Sequence, residues 1–240
     1  MSDSLHRLWS FSAVDPKFSL FFTMAVFTLS FELSRRVRAM RHVHPAIMTI
    51  AAIIFLLKIT GTSYPSYFAG AQYIHMLLGP ATVVLAVPLF DNLSRIRAML
   101  MPLVSSCLFG AVMAIVFTMV IANVTGSPSE VSISLAPKSI TTPIAMGVSA
   151  KLHGQPALTA AMVLITGVVG CFTAPLVFRA LGIHDHTVKG FTLGMTAHGF
   201  GTAYGFASIS ALAGAFSGLA MGIAGLTTAA IAPLIVPLLA

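Results

Sequence analysis

The sequence predicts an all-α, polytopic integral membrane protein with about six full spans and two further segments that are broken or re-entrant. The first observation is composition. Of the 240 residues, 57% are apolar and 8% are charged, whereas an average soluble domain carries about 25% charged residues. The second is that the apolar residues form long unbroken runs, unlike the short alternating segments of a membrane β-barrel. Thirteen basic and six acidic side chains cannot cover a soluble globule of this size, so a soluble enzyme is excluded.

The predicted spans follow from the apolar runs in chain order. They cover residues 18–33, 45–60, 73–90, 100–124, 157–181 and 208–239. The run at 73–90 is interrupted by Gly79-Pro80 and by Pro88. The stretch at 61–72 is rich in turn residues and is predicted as a loop, and 91–97 is predicted as a polar loop with two arginines.

Two segments between these runs are too polar to face lipid. Residues 132–150 contain Pro137, Pro143 and a lysine near the middle, and residues 190–207 are rich in glycine and threonine and contain His198. Proline removes a backbone donor and restricts its predecessor, so both prolines are expected to break a helix. Broken backbone is tolerated at membrane depth only inside protein or beside a water-filled cavity. We therefore expect a pair of discontinuous segments packed inside the bundle.

The chain is predicted to form a single transmembrane domain over residues 1–240, with a weak internal repeat. The repeat units are 73–125 and 132–182, and each would consist of a broken segment, a basic loop and a long span. Repeats with discontinuous helices are common in secondary transporters. The alternative is a chance match of prolines in a proline-rich membrane chain.

The net charge of +7 indicates membrane orientation and not a nucleic-acid partner. The basic residues lie in short loops and form no stripe on a soluble surface. The positive-inside rule places the loops at 35–41 and 91–97 in the cytoplasm. If residues 132–150 re-enter, Arg179 and Lys189 also fall inside; if they cross, Lys151 does. The count of basic residues favours re-entry.

The most specific candidate site lies in the segment 137–143. Lys138 stands in apolar sequence, where a charge is costly and usually faces a cavity or a partner. The hydroxyls of Ser139, Thr141 and Thr142 follow within four residues. With backbone amides freed by the prolines, these groups are suited to binding a small anion. The alternative is a lysine that extends to the membrane interface from a surface loop.

The second candidate is His198 with Thr202, in the other broken segment. Histidine offers a hydrogen bond and a group that titrates near neutral pH. The alternative is a histidine bonded to a backbone carbonyl where two helices cross tightly. Thr82 is a further candidate for the same cavity, with helix packing as its alternative.

Other patterns point to structure and not to chemistry. Gly214, Gly218 and Gly222 recur every four residues, which favours close helix packing within the chain or between subunits. Cys107 and Cys171 lie in apolar runs and are expected to be packing residues. We expect an ion pair of Glu32 with Arg35 or Arg36. We expect residues 184–186 to form a solvated loop, since their spacing does not suit a metal site. No nucleophile-elbow pattern appears, so we predict no enzymatic activity and no cofactor.

Four stretches resemble hallmark segments of the LrgB/CidB family, which includes a domain of the plastid glycolate/glycerate translocator. They are residues 77–89, residues 134–146, His198 with Gly201-Thr202-Ala203, and residues 214–221. The resemblance runs from about residue 20 to the end of the chain with matching order and spacing. The lysine-containing stretch is the most specific of the four.

The resemblance implies a transporter of small 2-oxo or 2-hydroxy monocarboxylates such as glycolate, glycerate or pyruvate. It also implies a multi-pass protein of the bacterial inner (plasma) membrane. The expected partners are further copies of the same chain, in a homo-oligomer, and a small membrane protein of the LrgA/CidA type. The competing implication is an antiholin-like regulator of murein hydrolases that acts as an oligomeric pore or assembly protein. The chain departs from the family pattern at Tyr204, Ala213, Ala197 and His44. The identity of the substrate therefore does not follow from the resemblance.

Overall fold

The computed structural model describes residues 16–37, 45–77 and 86–239, and every regular element within these ranges is a helix. They belong to two compact units, one up to residue 84 and one from residue 85. Four helices in the described ranges are long and apolar enough to cross a membrane. The predicted all-α, multi-pass membrane fold is confirmed.

The first unit contains helices α1 (Pro16–Arg36), α2 (Pro45–Thr60) and α3 (Tyr64–Met76). Proline is suited to the first turn of α1 and α2 because the amide it lacks would have no helical partner there. Helix α1 packs against both other helices, and Thr23 is hydrogen-bonded to Tyr67 of α3. Arg36 Nη2 lies 2.8 Å from Glu32 Oε1, which confirms the predicted ion pair.

One sequence prediction in this region is wrong. The stretch at 61–72 is predicted as a loop, but α3 begins at Tyr64 because the Ser63 hydroxyl accepts a hydrogen bond from the Ser66 amide (3.3 Å). Serine followed by proline is a helix-start signal as well as a turn signal. The interrupted span expected at 73–90 lies partly outside the described residues: α3 ends at Met76, and the next described helix is α4 (Ala86–Asp91). Thr82 lies outside the described residues.

The polar loop predicted at 91–97 is also helical. Helix α5 (Leu93–Ala98) leaves Arg95 and Arg97 exposed, but buries Ile96 against Leu103 and Phe216. Burying a single isoleucine side chain stabilises the fold by about 1.5–3 kcal/mol. This contact attaches the two-arginine helix to the second unit.

Three long helices form the frame of the second unit: α6 (Leu100–Val124), α9 (Pro156–Ala180) and α11 (Ala211–Leu239). At 1.5 Å per residue, each is longer than the roughly 30 Å hydrocarbon core. Helix α11 packs along α6, with Ala232 and Val236 buried beside Ile115 and Met119. These bounds agree with the predicted spans to within a few residues.

The segment at 132–150 is broken as predicted. Helix α7 (Ser129–Leu135) and helix α8 (Thr142–Lys151) are separated by residues 136–141. Pro137 lies in this break. Pro143 does not break a helix, contrary to expectation, because it occupies the first turn of α8, where proline is tolerated.

The segment at 190–207 is also broken, at His198. Helix α10 (His186–Tyr204) contains one non-helical residue, His198, with φ +40° and ψ −121°. A Cβ on Gly201 would lie 2.2 Å from the carbonyl oxygen of Leu193, whereas residues eight apart in one straight helix are about 12 Å apart along its axis. The chain therefore folds back at His198. A π-helical turn at Gly205–Ile209 follows.

Two contacts between distant residues define the two ends of the second unit. Arg95 Nη2 lies 3.3 Å from Asp185 Oδ2, so the start of α6 and the residues after α9 share one end, which we call the basic end. Asn123 Nδ2 donates to the Leu239 carbonyl (2.6 Å), so α6 and α11 finish together at the other end, which we call the distal end.

Both broken segments re-enter, from opposite ends. Helix α6 runs from the basic to the distal end and α9 runs back, so the α7–α8 segment starts and finishes at the distal end. The α10 segment starts and finishes at the basic end, where His186 Nδ1 lies 2.9 Å from Ser210 Oγ. We call these two segments the distal hairpin and the basic hairpin. The positive-inside rule predicts that the basic end faces the cytoplasm.

Re-entry of the distal hairpin predicts that Glu130→Cys and Lys151→Cys face the same side of the membrane. Each would be placed in a background in which the buried Cys107 and Cys171 are alanine. In intact cells, a membrane-impermeant maleimide is expected to label both new cysteines. The control, Arg97→Cys at the basic end, is expected to react only after the membrane is permeabilised. Labelling of Glu130→Cys with protection of Lys151→Cys would show that the segment crosses.

Candidate functional site

The tips of the two hairpins pack against a common hydrophobic cluster in the interior of the second unit. Ile140 of the distal tip is buried with Val163 of α9 and Ala224 of α11, and Met195 of the basic hairpin packs against the same group. The two breaks in the chain are thus brought near each other between the three long helices. This is the arrangement that the pair of broken segments predicted.

A small cavity, the tip cavity, lies between the two hairpins. Its lining includes Gly110, Ile115, Pro137, Ser139, Met195 and Thr228. Ser139 and Thr228 contribute the side-chain hydroxyls. The cavity volume is about 10 Å³, enough for about one water molecule. Binding any larger molecule here requires the hairpins or the Met195 side chain to move.

Met195 is placed to close the tip cavity. Its Sδ lies 3.3 Å from the thiol of Cys107, and a Cβ on Gly110 would lie 2.7 Å from its Cε. Glycine at 110 therefore leaves the space that this methyl group fills. Methionine is unbranched and has several rotatable bonds, so its side chain can leave the cavity without movement of the helix backbone.

Lys138 points from the distal tip toward α6, where its ammonium group donates to the Thr118 hydroxyl. Thr118 is buried and donates to the Ala114 carbonyl (2.6 Å). In the described parts of the chain, the ion pairs are Glu32 with Arg36 and Arg95 with Asp185. No carboxylate in those parts therefore compensates the Lys138 charge, and a charge away from water is costly without a partner.

Thr141 and Thr142 form the start of α8. Thr141 has an extended backbone (φ −60°, ψ 140°) and its carbonyl accepts from the Ala145 amide (2.9 Å). Helix α8 therefore begins inside the unit, at the distal tip. The first amides of a helix lack helical partners and carry a partial positive charge. They add to the positive potential that Lys138 creates at this tip.

His198 and Thr202 are satisfied within the protein. His198 is 4% exposed and its Nε2 lies 3.0 Å from the Val163 carbonyl oxygen. A carbonyl only accepts, so Nε2 carries a proton. The Thr202 hydroxyl donates to the His198 carbonyl (3.0 Å) and lies 3.1 Å from Ser217 Oγ. This geometry matches the packing alternative for this histidine.

The predicted site residues therefore have different surroundings. Ser139 faces the tip cavity together with Met195 of the other hairpin, while Lys138 contacts α6 and His198 contacts α9. Sequence reasoning missed Thr118, Met195 and Thr228. A threonine or methionine in an otherwise apolar run gives no signal of its own, since its role depends on a helix distant in sequence.

Glycines allow the basic hairpin to lie directly on α11. A Cβ on Gly190 would lie 2.1 Å from the Ala213 carbonyl oxygen, and one on Gly194 would lie 2.1 Å from that of Ser217. Of the predicted glycine repeat, Gly214 packs against the Phe206 ring, as expected. A Cβ on Gly222 would meet no described atom within 4 Å, so Gly222 is not a packing position within the second unit.

Asp185 caps the start of α10. Its carboxylate accepts from the amides of Val188 (3.1 Å) and Thr187 (2.6 Å). These bonds, with the Val188 amide contributing most, lower the pKa of the Asp185 carboxyl. Within the described ranges, no three His, Cys, Asp or Glu side chains lie close enough together to hold a metal ion.

The second unit combines long apolar helices, two hairpins that re-enter from opposite ends, and basic residues gathered at one end. These features define a multi-pass membrane protein with a small internal cavity. Sequence comparison gives its family. The LrgB-like family profile matches residues 23–238, so the chain belongs to the LrgB-like family. The predicted resemblance is confirmed, and with its bacterial relatives the chain is a multi-pass bacterial membrane protein.

Three relatives illustrate the similarity. The uncharacterized protein YwbG of Bacillus subtilis (strain 168) is 33% identical over 215 residues, 90% of this chain and 95% of its own. A holin-like protein CidB of Staphylococcus epidermidis is 31% identical over 196 residues, covering 82% and 83%. An uncharacterized protein of Haemophilus influenzae is 31% identical over 219 residues, covering 91% and 94%. No solved structure matches the chain.

Proposed function

We propose that this protein transports small monocarboxylates of the glycolate, glycerate and pyruvate type, and that Lys138 binds the carboxylate. The observation that carries the proposal is a half-buried lysine at the tip of a re-entrant hairpin, with a hydroxyl partner and no carboxylate partner in the described residues. A monocarboxylate supplies the missing negative charge. The proposal includes no enzymatic step and no cofactor.

The groups around Lys138 suit a carboxylate with a neighbouring oxygen. The ammonium group offers one charge, and the α8 amides offer oriented N–H donors. The hydroxyls that could fix the orientation of the anion belong to Thr118, Ser139, Thr141 and Thr142. This combination binds one negative charge and a few further oxygens, which favours monocarboxylates over dicarboxylates.

The two hairpins support an alternating-access mechanism. Each re-enters from a different membrane end, so movement of one hairpin would open the tip region to one side only. The tip cavity holds about one water molecule, so we interpret the described conformation as closed to both sides. Binding by His198 and Thr202 stays a prediction, and it requires His198 to exchange the Val163 carbonyl for substrate when the basic hairpin moves.

The test is uptake of labelled pyruvate and glycolate into proteoliposomes. Wild-type uptake should saturate, and Lys138→Ala should lower it by at least about tenfold, because a hydrogen bond to a charged group contributes about 1.5–3 kcal/mol. The matched control is Lys151→Ala, an exposed lysine at the end of the same hairpin, which should leave uptake unchanged. Unchanged flux and unchanged substrate binding in Lys138→Ala would remove Lys138 from the site.

The alternative is an oligomeric pore or assembly protein, and the name of the CidB relatives, holin-like, favours it. Such an assembly should pass many solutes without saturation or stereospecificity. Uptake that saturates and separates D-glycerate from L-glycerate would support the carrier. Repeating the assay with a co-reconstituted LrgA/CidA-type protein tests whether the proposed partner is required.

A further inference from the structure

A second and larger cavity opens at the basic end, away from the hairpin tips. We call it the basic cavity. Its volume is about 430 Å³, within the range of about 300–1,000 Å³ that is typical of small-molecule sites. Its polar lining comes from Arg179, His184, His186, Lys189, Tyr204 and Ser208.

The basic cavity has an apolar floor. Phe178, Ile183 and Ile209 line it and also belong to the hydrophobic cluster around the buried residues Ala174 and Leu193. A ligand bound here would therefore meet apolar side chains below and cationic or imidazole groups at the rim. Such a site favours an anion that carries a short carbon body over a bare inorganic ion.

Among the described residues, no acidic side chain lines the basic cavity. The nearest in sequence, Asp185, is already held by the Thr187 and Val188 amides and by Arg95. Arg179 and Lys189 take part in neither of the ion pairs found in the described ranges. One basic side chain from α9 and one from α10 thus border one concave surface. Arginine in particular binds carboxylate or phosphate through two parallel hydrogen bonds.

The basic cavity also lies at the root of the basic hairpin. His186 and Lys189 belong to the outgoing arm, whereas Tyr204 and Ser208 belong to the returning arm. The His186–Ser210 contact of 2.9 Å joins the two arms. A ligand in this cavity therefore touches both arms of the hairpin.

We propose that the basic cavity is a binding site for a small organic oxyanion, a carboxylate or a phosphate ester, at the cytoplasmic end of the protein. Arg179 and Lys189 bind the oxyanion, and the Phe178, Ile183 and Ile209 side chains contact its carbon portion. The oxyanion has two possible sources, a soluble organic acid or the headgroup of an anionic lipid. This site is separate from Lys138 and does not depend on the transport proposal.

The test measures binding in the Lys138→Ala background, so that the proposed tip site does not contribute. Full-length protein in phosphatidylcholine nanodiscs is titrated with labelled pyruvate and with labelled glycerol 3-phosphate. At least one probe is expected to bind, and the added changes Arg179→Gln and Lys189→Gln should raise its Kd at least tenfold. The matched control is Arg97→Gln, an exposed arginine at the same end but outside the cavity, which should leave Kd unchanged.

Ser208→Glu provides a second variant should the double substitution fail to fold. Ser208 is exposed on the rim, so the change adds a negative charge without disturbing the interior, and it should abolish binding. Nanodiscs containing phosphatidylglycerol distinguish the sources. If this lipid lowers the binding of the soluble probes to the parent protein, and the variants do not show this competition, the lipid headgroup is the occupant. If the lipid does not compete, the soluble acid is the occupant. The proposal is overturned if neither probe nor lipid binds, or if the variants bind like the control.

The same assays separate this proposal from the transport proposal. Loss of uptake in Lys138→Ala with retained probe binding supports both sites. Absence of uptake in the wild type, with probe binding that depends on Arg179 and Lys189, would contradict transport and leave the oxyanion site standing. Uptake that depends on Lys138, without probe binding at the basic cavity, would support transport and contradict the oxyanion site.

Discussion

Replacing Gly190 by alanine is expected to destabilise the second unit by about 1–3 kcal/mol or more, because it overpacks a contact between two helices. A Cβ at this position would lie 2.1 Å from the Ala213 carbonyl oxygen and 2.7 Å from its carbonyl carbon. Both are backbone atoms of α11, so the collision cannot be relieved by rotating a side chain. The basic hairpin would have to move away from α11, or α11 would have to bend.

The measurement is the thermal midpoint of the detergent-purified protein, followed by loss of the monodisperse size-exclusion peak. Gly190→Ala should lower the midpoint by several degrees, and Gly190→Val should reduce the yield of folded protein further. Gly222→Ala is the matched control, since nothing lies within 4 Å of that position in the described structure and alanine favours a helix by about 0.5–1 kcal/mol over glycine. A Gly190→Ala midpoint equal to that of Gly222→Ala would contradict the close approach of α10 and α11.

Replacing Thr159 by valine is expected to loosen the base of the distal hairpin, at a cost of about 1–3 kcal/mol for buried polar groups left without partners. The Thr159 hydroxyl is fully buried and lies 2.8 Å from both the Ser134 carbonyl oxygen and the Ser149 hydroxyl. The Ser134 hydroxyl in turn accepts from the Gln155 amide (2.7 Å). One side chain of α9 therefore joins α7 to α8.

Valine has nearly the shape of threonine, so this change removes the hydrogen bonds and leaves the volume almost unchanged. The expected result is a lower thermal midpoint, together with faster amide hydrogen exchange in α7 and α8 than in α9. The matched control on the same helix is Thr173→Val, because the hydrogen bonds described for the exposed Thr173 hydroxyl go to carbonyls of its own helix. Equal midpoints and equal exchange in the two variants would show that the polar cluster does not hold the hairpin.

Local properties of the chain were sufficient to predict the fold class and the positions of the long helices. Each apolar run and each group of basic residues beside it belongs to one continuous stretch of chain, so it can be interpreted without knowing what lies alongside. The same holds for the two breaks, since proline at 137 and the polar, glycine-rich sequence around His198 disfavour a continuous helix wherever they occur. The short helices at Tyr64–Met76 and Leu93–Ala98 were missed because serine, proline and arginine signal both loops and helix ends.

The Lys138 prediction was likewise local, because a lone charge in an apolar run is costly in any membrane fold. Its partner Thr118 was not predictable, since it lies twenty residues earlier in a span with no polar pattern. His198 shows the same limit. Its residue type permits either a ligand or a structural role, and only the position of the Val163 carbonyl 35 residues earlier shows which bond it makes.

The sequence by itself thus determined a helical membrane protein with two broken segments and one lysine within apolar sequence, because those features depend on composition and short-range sterics. The tertiary structure alone decided that both segments re-enter from opposite ends. That conclusion depends on Arg95 meeting Asp185, 90 residues away, and Asn123 meeting Leu239, 116 residues away. The tertiary structure also places Arg179, Lys189 and two histidines around one cavity. Contacts over such separations depend on how helices pack in three dimensions, and no local pattern in the chain encodes them.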